Sequence, residues 1–183
     1  MTDAPSSSSA VPDLPAAARL DPPRPADGFE RVRAVLRAAA HPHPPLWLDT
    51  PARTCAEAAA ALGVREGQIA KSVVFRHLEQ PRAVLVIASG DRRVDVAKVA
   101  ALVGPVGRAD AAYVKAHTGF SIGGVSPVGH AEPPLLLLDA DLARFDAIWA
   151  AAGHPNGVFR ASIDELQALT GCPLSDVCED AGG

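Results

Sequence analysis

Lys71 is the residue whose type and setting most invite chemistry. It stands inside an apolar stretch, Ile69-Ala70-Lys71-Ser72-Val73-Val74-Phe75. Strand alternation puts it on the face of Ile69, Val73 and Phe75. An ammonium on such a face needs a partner or must line a cavity. The plain alternative is an edge lysine whose stem packs while its head reaches water. A second constellation is Gly119-Phe120-Ser121-Ile122-Gly123-Gly124-Val125-Ser126-Pro127-Val128-Gly129. Glycines let a backbone approach a ligand closely and expose N–H groups, the makings of an oxyanion site or a ribose clamp. A tight connection between elements would use glycines too. The nucleotide fingerprints GxGxxG and GxxxxGK[ST] are absent, as is the GxSxG nucleophile elbow. Ser126 and His130, four residues apart in a glycine loop, make a poor nucleophile–base pair. Cys55 lies early in an alanine-rich helix and reads as a small packing residue. His41, His43, His77, His117, His130 and His154 are scattered, with no HExxH or CxxC pair, so no metal site is expected.

The elements that must position these groups follow from caps and periodicity. Asp27 reads as the N-cap of a helix carrying Phe29, Val32, Val35 and Leu36 at helical spacing, stopped before Pro42. Leu46–Leu48 reads as a short strand. Thr54 and Glu57 form a capping box for a second helix that ends at Gly63. Strands are expected over Ile69–Arg76 and Ala83–Ala88, joined through a Ser89-Gly90-Asp91 turn to a helical stretch over Val94–Val103. Asp110 caps a short helix to His117, and Gly119–Gly129 follows as a loop. Leu135–Leu138 and Val158–Ala161 read as strands. Ser162 and Glu165 cap a last helix that stops at Gly171. Strands separated by unevenly spaced helices predict a mixed α/β (α+β) domain around one sheet. Residues 1–27 read as a tail, broken by Pro5, Pro12, Pro15, Pro22, Pro23 and Pro25 and by the run Ser6–Ser9. Order there requires docking on the domain or on a partner. The domain proper is placed at 28–183.

The 183 residues suffice for one domain with a core of Ala, Val, Leu and Ile, since aromatic residues make up only 4%. The longest apolar run, Pro133–Leu138, is too short to span a bilayer. No basic stretch precedes an apolar region at the N-terminus, so no secretory signal is expected. Three cysteines without a CxxC pair argue against a disulfide framework and for a reducing cytosol. The net charge of −4 is unevenly placed: residues 65–115 carry +4 and the remainder −8. That basic middle is either a solvated face or a surface that meets a phosphate backbone locally.

Several motifs in fixed order carry a resemblance. Thr54–Val64 (TCAEAAAALGV) is followed by Gln68-Ile69-Ala70-Lys71-Ser72, by Val84–Asp91 (VLVIASGD), by Arg93-Val94-Asp95 and by Thr118–Gly129 (TGFSIGGVSPVG). This series resembles the YbaK/EbsC family, free-standing relatives of the editing domain inserted in bacterial prolyl-tRNA synthetases, over roughly residues 30–178. The resemblance implies a curled mixed sheet surrounded by helices around a deep pocket. It implies a cytoplasmic, cofactor-free and metal-free hydrolase that cleaves the ester between a wrong amino acid and tRNA. The acceptor expected is tRNA(Pro) carrying Ala, Cys or 2-aminobutyrate, with prolyl-tRNA synthetase or an elongation factor as further partners. By the same resemblance Lys71 holds the terminal nucleotide, through its phosphate. The Gly-x-x-x-Pro loop, Gly123, Gly124, Val125, Ser126 and Pro127, grips the ester and orients water without a side-chain nucleophile. Thr118, Phe120 and Gly129 flank it as substrate-binding positions, and His154 and Asn156 match a less constant segment near the pocket. The rival expectations are a Cys-tRNA(Pro)-specific deacylase and a non-catalytic tRNA- or protein-binding module of the same fold. A small-molecule esterase is disfavoured by the missing elbow.

Overall fold

The computed structural model describes residues 14–24 and 26–180. In chain order the first elements are β1 (Ala18–Arg19), α1 (Asp27–Ala38), β2 (Leu46–Leu48), α2 (Cys55–Leu62), β3 (Ile69–His77) and β4 (Ala83–Ser89). Then come α3 (Val96–Val103), β5 (Val106–Arg108), α4 (Ala111–Thr118), β6 (Leu135–Asp139), β7 (Ile148–Ala151), β8 (Gly157–Ala161), α5 (Ile163–Thr170) and β9 (Leu174–Ser175). Short 3-10 turns at Glu66–Gln68 and Ala140–Arg144 precede β3 and β7.

The local signals act as expected where they are strong. Thr54 Oγ1 accepts the Glu57 N–H at 3.1 Å and Glu57 returns to the Thr54 N–H at 3.0 Å. Ser162 and Glu165 do the same for α5, and Gly63 and Gly171 end α2 and α5 in left-handed conformations. Asp95 caps α3 and Asp110 caps α4. One cap differs: α1 begins with Asp27 already helical, and Ala26 occupies the cap without a side-chain bond. Asp27 then adds negative charge to the first turn, where the helix dipole favours it.

The strands form one open, mixed sheet in the order β1-β2-β8-β7-β3-β4-β6-β9, with β5 also on β3. β3 and β4 pair antiparallel over seven positions from Ala70↔Ser89 to Arg76↔Ala83. The other edge of β3 is shared. Parallel β7 takes its start, at Ile69 and Ala70, and antiparallel β5 takes its end, at Phe75 to His77. β4 is buried on both faces. Leu85 and Ile87 face the main core, with Phe29, Val32 and Leu36 of α1, Val114 of α4 and Leu166 of α5. Val84, Val86 and Ala88 face Val99 of α3 and the C-terminal Val177 and Cys178. A third cluster packs α2 through Ala58, Ala59 and Leu62 against Leu46, Leu48, Ile69 and Val158. Full burial of a side chain such as Phe29 or Leu85 contributes about 1.5–3 kcal/mol, so the three clusters together fix α2 and β3 firmly.

The N-terminal segment docks over residues 14–24. β1 pairs antiparallel with β2, Ala18 opposite Leu48 and Arg19 opposite Trp47. Leu14 and Ala18 pack on the α2 cluster, Arg19 pairs with Asp49, and Arg33 holds both the Leu20 carbonyl and Asp21. Proline and serine offer no periodic apolar face, which is why this pairing has no sequence signature. Ser6–Ser9, Pro5, Pro12 and Pro25 lie outside the described residues.

Candidate active site

A cavity of about 290 Å³ opens where α2, β3, β7, β8 and the glycine loop meet. Ala52, Arg53, Thr54 and Cys55 line it from the start of α2, Ile69–Ser72 from β3, and Trp149–Ala151 from β7. Ile122, Gly123 and Val125 come from the loop, and Pro155, Gly157 and Val158 from the turn into β8. Alanines at 52, 58, 70, 150 and 151 keep the wall close to the backbone, so space remains between strands that pair side by side.

Lys71 is half-buried on this wall. Its Nζ donates to the Arg92 carbonyl, and to the Gly90 carbonyl at 3.4 Å. An ammonium has three N–H donors. Two therefore anchor the group to the turn after β4, and one has no partner among the described residues. The turn is itself held: Arg144 Nη2 donates to Asp91 Oδ1 at 2.7 Å and Arg92 pairs with Asp141 at 2.7 Å. The Arg144 guanidinium keeps the Asp91 carboxyl below its ordinary range. The neighbouring Ser72 Oγ is inaccessible and has no partner among the described residues. Burial pushes the Cys55 thiol up, so it stays protonated at neutral pH and is a poor nucleophile.

The glycine loop lines the same cavity as Lys71 through Ile122, Gly123 and Val125. Gly123 has φ +89°, a conformation that disfavours any side chain, and a Cβ on Gly124 would lie 2.7 Å from the His154 backbone. The loop is thereby pressed against the 153–155 turn. The Gly124 N–H is taken by the Ser121 carbonyl at 3.0 Å, whereas those of Gly123 and Val125 meet no acceptor among the described residues. Val125 is buried, and unpaired N–H groups beside a cavity are where an anionic oxygen gains most.

The structure brings together Lys71, Gly123 and Val125, but the side chains of the other expected residues point elsewhere. Ser126 is fully buried; its Oγ accepts the Val128 N–H at 3.3 Å and its carbonyl accepts from His130 Nε2 at 2.7 Å. Neither Gly124 nor Pro127 lines the cavity. Thr118 Oγ1 donates to the Val114 carbonyl, closing α4. Phe120 lies in the core under the Arg31 guanidinium, and the Gly129 carbonyl accepts from Arg31 Nε at 2.6 Å. His154 stacks on Trp47 at 4.5 Å and accepts the Asn156 N–H on Nδ1, while Asn156 Nδ2 donates to the Leu48 carbonyl. These residues hold the loop and the 153–156 turn in place, and Pro155 between the last two is the one that reaches the cavity. The sequence reading placed neither Arg53 nor the β7 wall at the site, and held Ser72 and Ile122 only as members of the motifs. The short run Ile148-Trp149 was the available signal for β7, a β-branched and an aromatic residue together. No three His, Cys, Asp or Glu side chains cluster for a metal among the described residues.

Residues 49–169 match the aminoacyl-tRNA editing domain, two thirds of the chain and every cavity residue. The chain belongs to the aminoacyl-tRNA editing domain family. This editing domain is 34% identical to the uncharacterised protein YwhH of Bacillus subtilis (strain 168) over 134 residues, 72% of this chain and 85% of that one. It superposes with a TM-score of 0.79 on the crystal structure of a candidate trans-editing enzyme for prolyl-tRNA synthetase, at 40% identity, covering 85% of this chain and 99% of the other. The hypothetical protein APE2540 gives a TM-score of 0.76 at 32% identity, over 81% of this chain and 99% of that one. The mixed α/β fold is therefore that of the editing domains. No helix among the described residues is long and apolar enough to cross a membrane.

Proposed function

We propose that the protein is a trans-editing hydrolase that cleaves the ester of mischarged tRNA, acting on tRNA(Pro) that carries Ala, Cys or 2-aminobutyrate. The observation that carries this is the pairing of a tethered cation, Lys71, with the unpaired N–H groups of Gly123 and Val125 across one small cavity. The third N–H of Lys71 holds the terminal nucleotide and fixes the ester in the cavity. Water adds to the ester carbonyl, and the two loop N–H groups stabilise the oxyanion that develops. The intermediate collapses by breaking the bond to the ribose oxygen, which leaves as the hydroxyl, and the amino acid departs as a free acid. A neighbouring ribose hydroxyl relays the proton, so no protein nucleophile or cofactor is needed. The narrow alanine-lined wall supports a small side chain over a large one, although one methylene discriminates by only about 1–3 kcal/mol.

The test is single-turnover deacylation of tRNA(Pro) bearing alanine, cysteine, 2-aminobutyrate or proline, with and without EDTA. Release of a small residue with proline spared, unaffected by EDTA, is the expected result. Equal rates for prolyl-tRNA would overturn the selectivity, and loss in EDTA restored by zinc would overturn the mechanism. One observation favours a second reading, a non-catalytic tRNA- or protein-binding module: the Lys71 ammonium already has two carbonyl partners and could serve as a strut. That reading expects binding without turnover on every substrate.

A further inference from the structure

We propose that Arg53 is the phosphate-binding residue at the mouth of this cavity and contacts the phosphodiester just behind the aminoacylated ribose. The proposal rests on the editing reading above and adds to it a residue that the motif series did not contain. Arg53 lines the cavity beside Thr54 and Cys55, yet it is exposed to solvent. Its backbone position is set: the Arg53 N–H donates to Glu57 Oε2 at 2.7 Å, alongside the Thr54 N–H on the same carboxylate oxygen. Its guanidinium has no hydrogen bond, ion pair or aromatic ring among the described residues. Glu57 is held below its ordinary range first by these two backbone N–H bonds and only weakly by the Arg53 charge, with which it forms no ion pair. Arg33, Arg92, Arg144 and Arg65 are engaged by Asp21, Asp141, Asp91 and the Phe145 ring, and none of the other arginines among the described residues lines this cavity.

The two cations of the wall therefore differ in what they can offer. Lys71 is half-buried and keeps one donor. Arg53 stands at the rim with all five donors available, in the planar fork that matches a phosphate. An aminoacyl ester that enters amino acid first brings its ribose to the depth of Lys71. The next charged group along the chain, the 5′ phosphodiester, then falls at the rim. A half-buried ammonium with one donor suits a ribose or ester oxygen, and an unpaired guanidinium in water suits the phosphate.

The experiment compares wild type, Arg53→Ala and Arg53→Lys on mischarged tRNA and on 2′(3′)-O-alanyl-adenosine, which has the ester and no phosphate. Arg53→Ala is expected to raise KM for the tRNA about tenfold or more, the value of a charge-assisted bond, with kcat little changed. It should make the salt dependence shallower by about one contact and leave the nucleoside ester untouched. Arg53→Lys should keep the salt slope and recover part of the KM. An unchanged KM and salt slope, or an equal loss on the nucleoside ester, would overturn the assignment. Anisotropy of a labelled, uncharged hairpin ending in CCA separates this from the editing reading. If Arg53→Ala weakens that binding while no ester is cleaved by wild type, the phosphate contact stands and the deacylase reading falls. If binding is unchanged, the contact falls whatever the activity.

Discussion

The two ends of β3 hold two buried or half-buried polar side chains in opposite situations. At the far end His77 is 3% exposed and saturated. Its Nε2 donates to the Val103 carbonyl at 2.7 Å, and Nδ1 accepts the N–H groups of Glu79 and Gln80, both at 3.1 Å. At the near end Lys71 keeps a donor. The same strand is closed by β5 at one end and, at the other, borders a cavity walled by β7. A saturated polar group is part of the scaffold, because any ligand would have to displace a bond already made. A group with capacity left over beside a cavity is where a ligand gains without such a loss.

The sharpest way to break this contrast is Lys71→Ala. If the near end positions substrate, deacylation should fall by ~100-fold or more, and Lys71→Arg, with its longer planar head, should recover part of it. Circular dichroism should show both variants folded. A folded Lys71→Ala protein with near wild-type single-turnover rate would make Lys71 a strut, like His77.

His77→Ala is the reciprocal test. It strands the Val103 carbonyl and two N–H groups and should cost about 1–3 kcal/mol of stability in urea titrations. The rate per folded molecule should not change. A large kinetic defect at full folding would mean that the far end communicates with the cavity.

The docked segment bears on the near end alone, since β1 covers β2 and β2 leads through β8 and β7 to the cavity. Removing residues 1–13 should leave the melting temperature where it is. Truncation to Gly28 deletes β1 and should cost about 1–2 kcal/mol, the worth of a few net hydrogen bonds. Equal melting temperatures for the two truncations would show that β1 contributes nothing.

The smallest effect is on pH dependence. Burial holds His130, His154 and His43 below their ordinary value of 6.5, with Arg31, Arg24 and Arg160 respectively adding to it. These groups are neutral in the fold while the unfolded chain takes up protons from about pH 6.5. Their contribution is thus complete above that pH and declines as the pH falls from there through the lower folded-state values. Denaturation at pH 7.5 and 5.5 should show lower stability at the acid value, and His130→Gln should flatten the difference. Stability that rises on acidification over this interval would contradict the assignment.

The capping boxes at Thr54–Glu57 and Ser162–Glu165, the glycine stops and the runs that became β3, β4 and β6 were readable because each is a local signal. The hydrogen bonds that form a cap lie within four residues, and the apolar run reports burial whatever it packs against. The motif series also contained Lys71, Gly123 and Val125, which line one cavity. The short strands β1, β5, β7 and β9 were not readable. Two to four residues hold too little periodicity, and their stability comes from partners distant in sequence, such as Trp47 and Leu48 for β1 or Ile69 and Ala70 for β7.

The site divides in the same way. Residue type and order singled out Lys71, Gly123 and Val125, which the fold brings to one cavity. Which groups remain available was decided by packing: Ser126, Thr118, His154 and Asn156 found partners within the protein, while Arg53 did not. Hydrogen-bond saturation depends on every neighbour in three dimensions, and a sequence lists only two of them.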